Sequence, residues 1–385
     1  MRLAILLIGL LLLPCTLAAE PVTVGQSASA AVSPAVAEYL RKLATYKRAH
    51  AQYEAKAQAY WDAISAKRRI RFAKRRNHQT VTLDDYVLTQ PPVYSGPPEP
   101  VDPTAPKKPP PPRPYVPVVA DFLKAADKHF RFVPERPPSE IEFKRAYATV
   151  ARGAGLTRDQ VVRIYSFEAS GNGKYDVQAG LESGKGRAIS TALGYNQLLT
   201  TNTVSILAEN GHRIVVALEK KASQRSGDAK TRLQKKIVVV RRMIAFSRTV
   251  PVRWGEHAKL AKTPQGLGPH ALNLDIEVGP LLQTQKLIDS ILFAKRKGVD
   301  RPLGAAELEM MNLTGDGNGF DIVSMPQAIR GKVPTSNFFQ RGGYERNPVA
   351  SRNNVVAKLL AATDAVMNRE SKHKGARDMA AAYSQ

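Results

Sequence analysis

The stretch 157–171 reads TRDQVVRIYSFEASG, and this segment decides our interpretation of the fold. Its apolar residues lie three or four positions apart, which predicts an amphipathic helix. Thr157, with Gln160 three positions later, fits a capping box that begins this helix. Glycines at 171 and 173 end the pattern. Glu168 therefore lies at a helix end among apolar and aromatic neighbours, a setting that removes water from a carboxyl, raises its pKa and suits it to donate a proton.

The sequence around this helix is also helical in its pattern. Apolar residues recur at helical spacing in 118–130, 138–153, 201–209, 228–246, 274–296, 305–311 and 354–367. No run of alternating apolar and polar residues predicts strands. We therefore expect a mainly α domain over 118–371, followed by a polar tail at 372–385.

Four later segments follow Glu168-Ala169-Ser170 along the chain. They are Gly194-Tyr195-Asn196-Gln197-Leu198, Asn273-Leu274-Asp275-Ile276, Met311-Asn312 with Gly315, and Tyr344-Glu345. This order resembles the soluble lytic transglycosylase domain of the lysozyme-like superfamily. In that family a Glu-Ser, a Gly-Leu-Met-Gln-Leu, an Asn-Ile and a Tyr-Asn-x-Gly segment come in the same order. The resemblance covers about residues 140–367, with Met311 in place of the usual tyrosine.

The resemblance implies a lysozyme-like helical fold and an enzyme, a carbon–oxygen lyase that cleaves peptidoglycan between N-acetylmuramic acid and N-acetylglucosamine. It also implies six site residues: the catalytic Glu168 and the substrate-binding Gly194, Tyr195, Gln197, Asn312 and Tyr344. Gly194, Tyr195 and Gln197 are expected to line the sugar groove. Asn312 is expected opposite Glu168, and Tyr344 near the acid.

One carboxyl is sufficient for the family's reaction. The acid protonates the glycosidic oxygen, and its carboxylate then takes the proton of the C6 hydroxyl, which closes a 1,6-anhydro ring. A lysozyme-like hydrolase is an alternative, and Asp176 and Glu182 are the candidates for its second carboxylate. A domain that has lost activity and serves as a peptidoglycan-binding scaffold of the envelope is another alternative.

The first 19 residues indicate where the protein works. Arg2, an apolar run and small residues at 16, 18 and 19 follow the order of a secretory signal peptide. The run is shorter than the about 20 residues of a membrane-spanning helix. Cys15, the single cysteine, lies within it. We therefore expect a periplasmic or otherwise exported protein that is associated with the cell envelope.

The residues before the helical domain are basic and then rich in proline. Within 20–78 a helix is predicted from about Pro34 to Arg76, and it ends in seven cations between Lys67 and Arg76. Its tyrosines recur every seven residues, at 39, 46, 53 and 60, and this face is a candidate for self-association. Residues 79–117 are rich in proline and are interpreted as a semi-rigid linker.

The formal charge of +24 and the pI near 10.1 predict attraction to polyanions. For an exported protein we expect peptidoglycan glycan strands as partners. An anionic envelope polymer or a membrane surface is the expected partner of the basic helix. Nucleic acid is not expected as a partner. A further alternative is that the protein is an exported binder of nucleic acid or anionic polymer, led by residues 67–76.

Cofactor and metal signatures are missing from the sequence. The seven histidines show no HExxH or other ligand spacing, so we expect neither a cofactor nor a metal. The stretch 316–321 begins like a calcium loop, but its fifth and sixth positions are Phe320 and Asp321, so a turn is predicted there. The interval between Gln197 and Asn273 is longer than the family pattern, and we interpret 202–268 as an insertion that covers or reshapes the groove.

Overall fold

A computed structural model describes residues 33–106, 112–181 and 186–385. The described residues are 65% helical, and among them extended backbone forms only isolated β-bridges. The prediction of a mainly α fold is therefore confirmed. The predicted signal peptide with Cys15 lies outside the described residues, as does Glu182.

The helices are numbered in chain order. They are α1 Pro34–Arg76, α2 Val119–Phe130, α3 Glu140–Gly153, α4 Arg158–Glu168, α5 Thr200–Ser223, α6 Gly227–Ser247, α7 Trp254–Ala261, α8 Gly279–Arg296, α9 Ala305–Thr314, α10 Asp316–Val323, α11 Gln327–Arg330, α12 Arg341–Glu345, α13 Pro348–Arg352, α14 Val356–Glu370 and α15 Lys374–Ser384. Single 3-10 turns lie at Leu83–Asp85, Gly268–Leu274 and Thr335–Phe338.

The described chain divides into two compact units. One holds the described residues before Gln52 together with those from Ser95 to 106, where the first turns of α1 and several prolines line a cavity of about 540 Å³. The other holds Gln52–Tyr94 and the described residues from 112 onwards. The candidate site lies in this second unit.

Local sequence explains how α4 begins. The backbone N–H of Gln160 donates to the Thr157 hydroxyl at 3.2 Å, and the Thr157 N–H donates to the Gln160 side-chain oxygen at 2.9 Å. This pair satisfies amides that no helical carbonyl can reach. The predicted capping box is confirmed. Val161, Ile164 and Tyr165 then bury one face of α4 against α9, α14 and α15.

Two hydrophobic clusters hold the second unit together. One contains apolar side chains of α3, α4, α8, α9, α10, α14 and α15 and surrounds the helix that ends at Glu168. The other lies between α2, α5, α6 and the 3-10 turn Gly268–Leu274. The segment predicted as an insertion forms the hairpin of α5 and α6, followed by α7, and so contributes mostly to the second cluster.

The C-terminal residues differ from the expected polar tail. Residues Lys374–Ser384 form α15, which packs on α3 and α4. Ala376, Met379 and Ala382 recur every three positions and are buried on one side. Alanine, methionine and tyrosine make up six of the eleven residues of α15, so this short helix has an apolar face that holds it on the core.

The cations at the end of α1 are largely used within the unit. Arg71 is fully buried, and its Nε donates to Asp321 Oδ2 at 2.6 Å, while its guanidinium lies 4.5 Å from the Tyr86 ring centre. Arg75 also pairs with Asp321, and Lys74 Nζ lies 2.7 Å from an oxygen of Asp85. Binding of an anionic partner through this helix stays a prediction.

Asp321, the partner of Arg71, lies in the stretch 316–321, for which a turn was predicted. The structure instead has helix α10 over Asp316–Val323, with Asp321 completely buried. Burial of Phe320, Ile322 and Val323 on the core stabilises the helix despite two glycines in its first turns.

Residues after α1 pack beside it. Tyr86 is buried, and Val87 exchanges two backbone hydrogen bonds with the Asn337 side chain, at 3.0 and 2.8 Å. The tyrosine face of α1 contacts the same segment, since the Tyr53 ring lies 5.4 Å from that of Tyr94 and the Tyr60 hydroxyl donates to the Thr89 carbonyl. Self-association through this face stays a prediction.

Candidate active site

Glu168 is the last residue of α4, and the backbone turns sharply after it. Ser170 and Gly171 both have positive φ, of 51° and 63°. A Cβ on Gly171 would lie 2.1 Å from the carbonyl oxygen of Glu370, so only glycine allows this close approach of α14. The turn ends the helix and leaves the Glu168 carboxyl partly buried rather than enclosed.

Asn312 of α9 binds this carboxyl directly. Its Nδ2 donates to Glu168 Oε1 at 2.8 Å, and the same nitrogen lies 3.5 Å from Oε1 of Glu309. Two residues that are 144 positions apart in the chain thus meet because α9 packs on α4. The structure brings Asn312 to the acid, as the sequence predicted.

Glu309 is the residue that sequence reasoning missed. It is completely buried, and no described protein group donates to its Oε2. A buried carboxylate oxygen without a donor is costly, whereas a protonated carboxyl can donate to its neighbour. Burial and the nearby charge of Glu168 therefore favour the protonated form of Glu309. Its position three residues before Asn312 puts both on one face of α9, which is the signal that the sequence offered.

The pKa values of the two carboxyls follow from this arrangement. Burial raises the pKa of Glu168 to about 7, and the hydrogen bonds from Glu309 and Asn312 oppose that rise. Burial also raises the pKa of Glu309 well above its ordinary value, and the charge of Glu168 raises it further. Burial thus favours the protonated form of both carboxyls, and near pH 7 Glu168 is poised between its acid and base forms.

Gly194 and Tyr195 lie behind the site rather than on a groove, which corrects their predicted role. A Cβ on Gly194, whose φ is 80°, would lie 2.6 Å from Nε2 of Gln283. Tyr195 is fully buried, with its ring 4.9 Å from that of Tyr165 and its hydroxyl bonded to Glu140. Aromatic rings on two helices, Phe143 and Tyr147 of α3 and Tyr165 of α4, surround this tyrosine, so it supports α4 from the interior.

Gln283 connects the segments that the resemblance identified. Its amide nitrogen donates to the Leu193 carbonyl at 3.0 Å and to Asn273 Oδ1 at 2.9 Å, while its oxygen accepts from the Asn196 backbone. All four residues are buried. The matched segments are thus held together by one amide, and Asn273 takes a structural part.

Gln197 is partly buried and has a φ of 43°, an uncommon conformation for a residue other than glycine. Its amide donates to the carbonyl oxygens of Val177 and Gly194, at 3.2 and 2.8 Å. Val177 lines a cavity of about 670 Å³ that begins at Ala169 and Ser170, directly after Glu168. Neither Gln197 nor Glu168 itself lines this cavity: Gln197 is hydrogen-bonded to Val177 of its wall, and Glu168 directly precedes Ala169.

Tyr344 lies elsewhere in the unit, contrary to the expectation that it is near the acid. It belongs to α12 and packs against Trp61 and Phe339, in a small cluster separate from the core around α4. The end of α1 provides the apolar partner for this tyrosine, and the resemblance gave no information about α1. Asp176, proposed as a second carboxylate, pairs with Arg136 at 3.2 Å.

A second cavity, of about 480 Å³, lies between the predicted insertion and α8. Asn210 of α5 and the indole of Trp254 line it on one side, and Lys286 and Asp289 of α8 on the other. The charge of Lys286 opposes the rise in the pKa of Glu309, which relates this cavity to the acid pair. Trp254 is 55% exposed, so its ring face is available to a ligand.

No helix in the described part of the chain is both long enough and apolar enough to span a bilayer. Comparison of the sequence and the fold with protein-family models, with curated proteins and with solved structures gives no match.

Proposed function

We propose that the protein is a lytic transglycosylase that cleaves the β-1,4 bond between N-acetylmuramic acid and N-acetylglucosamine in peptidoglycan, with Glu168 as its acid and base. The single observation that carries the proposal is the partly buried Glu168 carboxyl, whose pKa is raised to about 7 while Asn312 holds it at 2.8 Å. The Glu168 carboxyl thus supports, by its chemistry, the function that the sequence resemblance implies.

A pKa near 7 suits a group that must act twice. In the first step Glu168 donates its proton to the glycosidic oxygen as the bond to the muramoyl C1 breaks. In the second step the carboxylate takes the proton of the C6 hydroxyl, whose oxygen closes the 1,6-anhydro ring at C1. A group that is half protonated near neutral pH performs both transfers with little penalty in either direction.

Glu309 supports a mechanism with one reacting carboxyl. Its side chain is completely buried beside Glu168, so it cannot reach a sugar. Two-carboxylate glycosidases instead hold their groups about 5–9.5 Å apart with the scissile bond between them. We assign Glu309 a positioning role: its proton fixes the orientation of Glu168 and limits the rise in the pKa of the acid.

We also assign Asn312 a positioning role for the Glu168 carboxyl. Its amide donates to Oε1, which fixes the orientation of the Glu168 carboxyl. We place the sugar at the scissile bond in the cavity lined by Ala169, the residue after Glu168, and by Val177, whose carbonyl accepts from Gln197. Its volume of about 670 Å³ is of the size that binds a ligand of a few rings.

The scaffold alternative predicts an acid that is fully exposed, or one that is neutralised by a lysine or arginine. Among the described residues Glu168 has neither property, since its partners are Asn312 and Glu309. The proposal therefore includes activity. It also includes export to the envelope, where the substrate lies.

The test is to incubate the purified protein with peptidoglycan sacculi and to analyse the soluble products by mass spectrometry. The variants are Glu168→Gln and the matched control Glu219→Gln, since Glu219 is 49% exposed on α5 and pairs only with Arg241 on α6. We expect anhydro-muropeptides from the wild type and the control, and none from Glu168→Gln.

Other outcomes have definite meanings. Products with reducing ends that depend on Glu168 would make the protein a hydrolase. No release by the wild type, with binding to sacculi intact, would reject the enzyme and favour the peptidoglycan-binding scaffold. Equal release by Glu168→Gln and the wild type would place the reacting acid elsewhere.

A further inference from the structure

A cavity of about 1000 Å³ lies where the ends of α1 and α8 meet the region of α9 to α11. Five permanent cations line it: Arg75, Arg296, Lys297, Arg301 and Arg330. Among the described residues, two carboxylates line the same cavity, Asp300 and Glu307. The cations come from three different helices and a loop, so no single helix accounts for their convergence.

Two of these arginines are held in place by one carboxylate. Arg301 bonds both oxygens of Glu307, at 2.6 and 2.7 Å, and Arg330 bonds the same carboxylate at 3.2 Å. Arg330 also donates to the backbone oxygens of Met325 and Val323. One negative charge is thus shared by two guanidinium groups, and it orients them without neutralising both.

The same arrangement occurs at α1. Arg75 bonds Asp321 and the hydroxyl of Ser324, but Asp321 also serves the buried Arg71. A single carboxylate again faces two arginines. The Arg75 guanidinium is therefore fixed at the cavity wall with part of its positive charge uncompensated.

Arg296 and Lys297 complete the cavity at the end of α8. Both are exposed, and no ion pair to either is found in the described part of the chain. Cations are favourable near a helix C-terminus, which explains these two residues alone. The C-terminus of α8 does not explain why three arginines from other elements, each held by hydrogen bonds, line the same cavity.

We propose that this cavity binds a chain of phosphate groups, such as an oligophosphate or a phosphodiester polymer. Guanidinium groups match the oxygens of phosphate in a bidentate geometry, and four of the five cations are arginines. A tetrahedral phosphate presents oxygens in several directions and so bridges arginines that converge from different elements. The volume exceeds that of one phosphate and admits several in series. This proposal is independent of glycan cleavage.

The test is isothermal titration of the purified protein with three probes: tripolyphosphate, a glycerol phosphate oligomer, and citrate as a carboxylate of similar charge. The double variant Arg296→Ala with Lys297→Ala removes the two cations that hold no other structure. The matched control is Arg232→Ala with Lys235→Ala, which removes an exposed arginine and an exposed lysine from α6, outside the cavity.

We expect the cavity variant to bind the phosphate probes about tenfold more weakly and the control to change by less than twofold, because interactions at close range dominate over net charge. Preference for tripolyphosphate or for the glycerol phosphate oligomer identifies the source of the phosphates. Three outcomes would overturn the proposal: no binding of either phosphate probe, equal weakening in both double variants, or citrate binding as tightly as tripolyphosphate.

Discussion

Replacing Glu168 by glutamine measures how much the ionisation of this buried carboxyl lowers the free energy of unfolding. Burial raises the pKa of Glu168 from 4.5 to about 7. Between these values the folded protein keeps a proton that the unfolded chain has lost. The folded state is therefore favoured fully below about pH 4.5, and this contribution falls as the pH rises to about 7. At about 1.4 kcal/mol per pH unit, the loss amounts to about 3 kcal/mol.

Glutamine has nearly the same shape and never ionises, so the variant does not lose this free energy. We expect Glu168→Gln to gain about 3 kcal/mol of unfolding free energy relative to the wild type between pH 4 and pH 8, an upper value because the carboxyl is partly exposed. Urea unfolding followed by circular dichroism at both pH values measures this change.

Glu219→Gln is again the control, because its carboxylate is exposed and its pairing with Arg241 is a surface contact. It should show no comparable difference between the two pH values. If Glu168→Gln changes stability equally at pH 4 and pH 8, the carboxyl is not desolvated in the folded protein, and the reasoning that makes it an acid near neutral pH is refuted.

Two further predictions concern buried partners. Glu309→Gln keeps a donor for Glu168 whereas Glu309→Met does not, so the pKa of Glu168 should rise further in the methionine variant alone. Carbon-13 NMR titration of the carboxyl measures it, and equal midpoints in both variants would contradict the donor role. Arg71→Met should cost about 3 kcal/mol in urea unfolding, because it leaves Asp321 buried with Arg75 as its remaining cation; a loss below about 1 kcal/mol would show that the pair contributes little.

Features that depend on near neighbours in the chain were predictable. The capping box at Thr157 and the end of α4 at Glu168 involve residues within a few positions of one another, so the pattern alone specifies them. The helical class follows from apolar spacing in the same way. The partly desolvated environment of Glu168 was also expected, because its local neighbours are apolar.

Features that depend on the packing of distant segments were not predictable from the sequence. Asn312 was expected near Glu168 only through the resemblance, and Glu309, on the same face of α9, was not recognised as its companion. Tyr195 was expected on a groove and is buried, while Tyr344 packs against the end of α1. In each case the outcome depends on which helix covers the side chain.

By itself the sequence determined the helical class, the start of α4 and which carboxyl closes α4, because hydrogen bonds and apolar spacing within a helix are local. Only the tertiary structure decided that Glu309 is buried beside Glu168, and that Arg71 is buried against Asp321 rather than exposed to solvent. The physical reason is that desolvation and charge pairing are set by groups that are distant in the chain and adjacent in space.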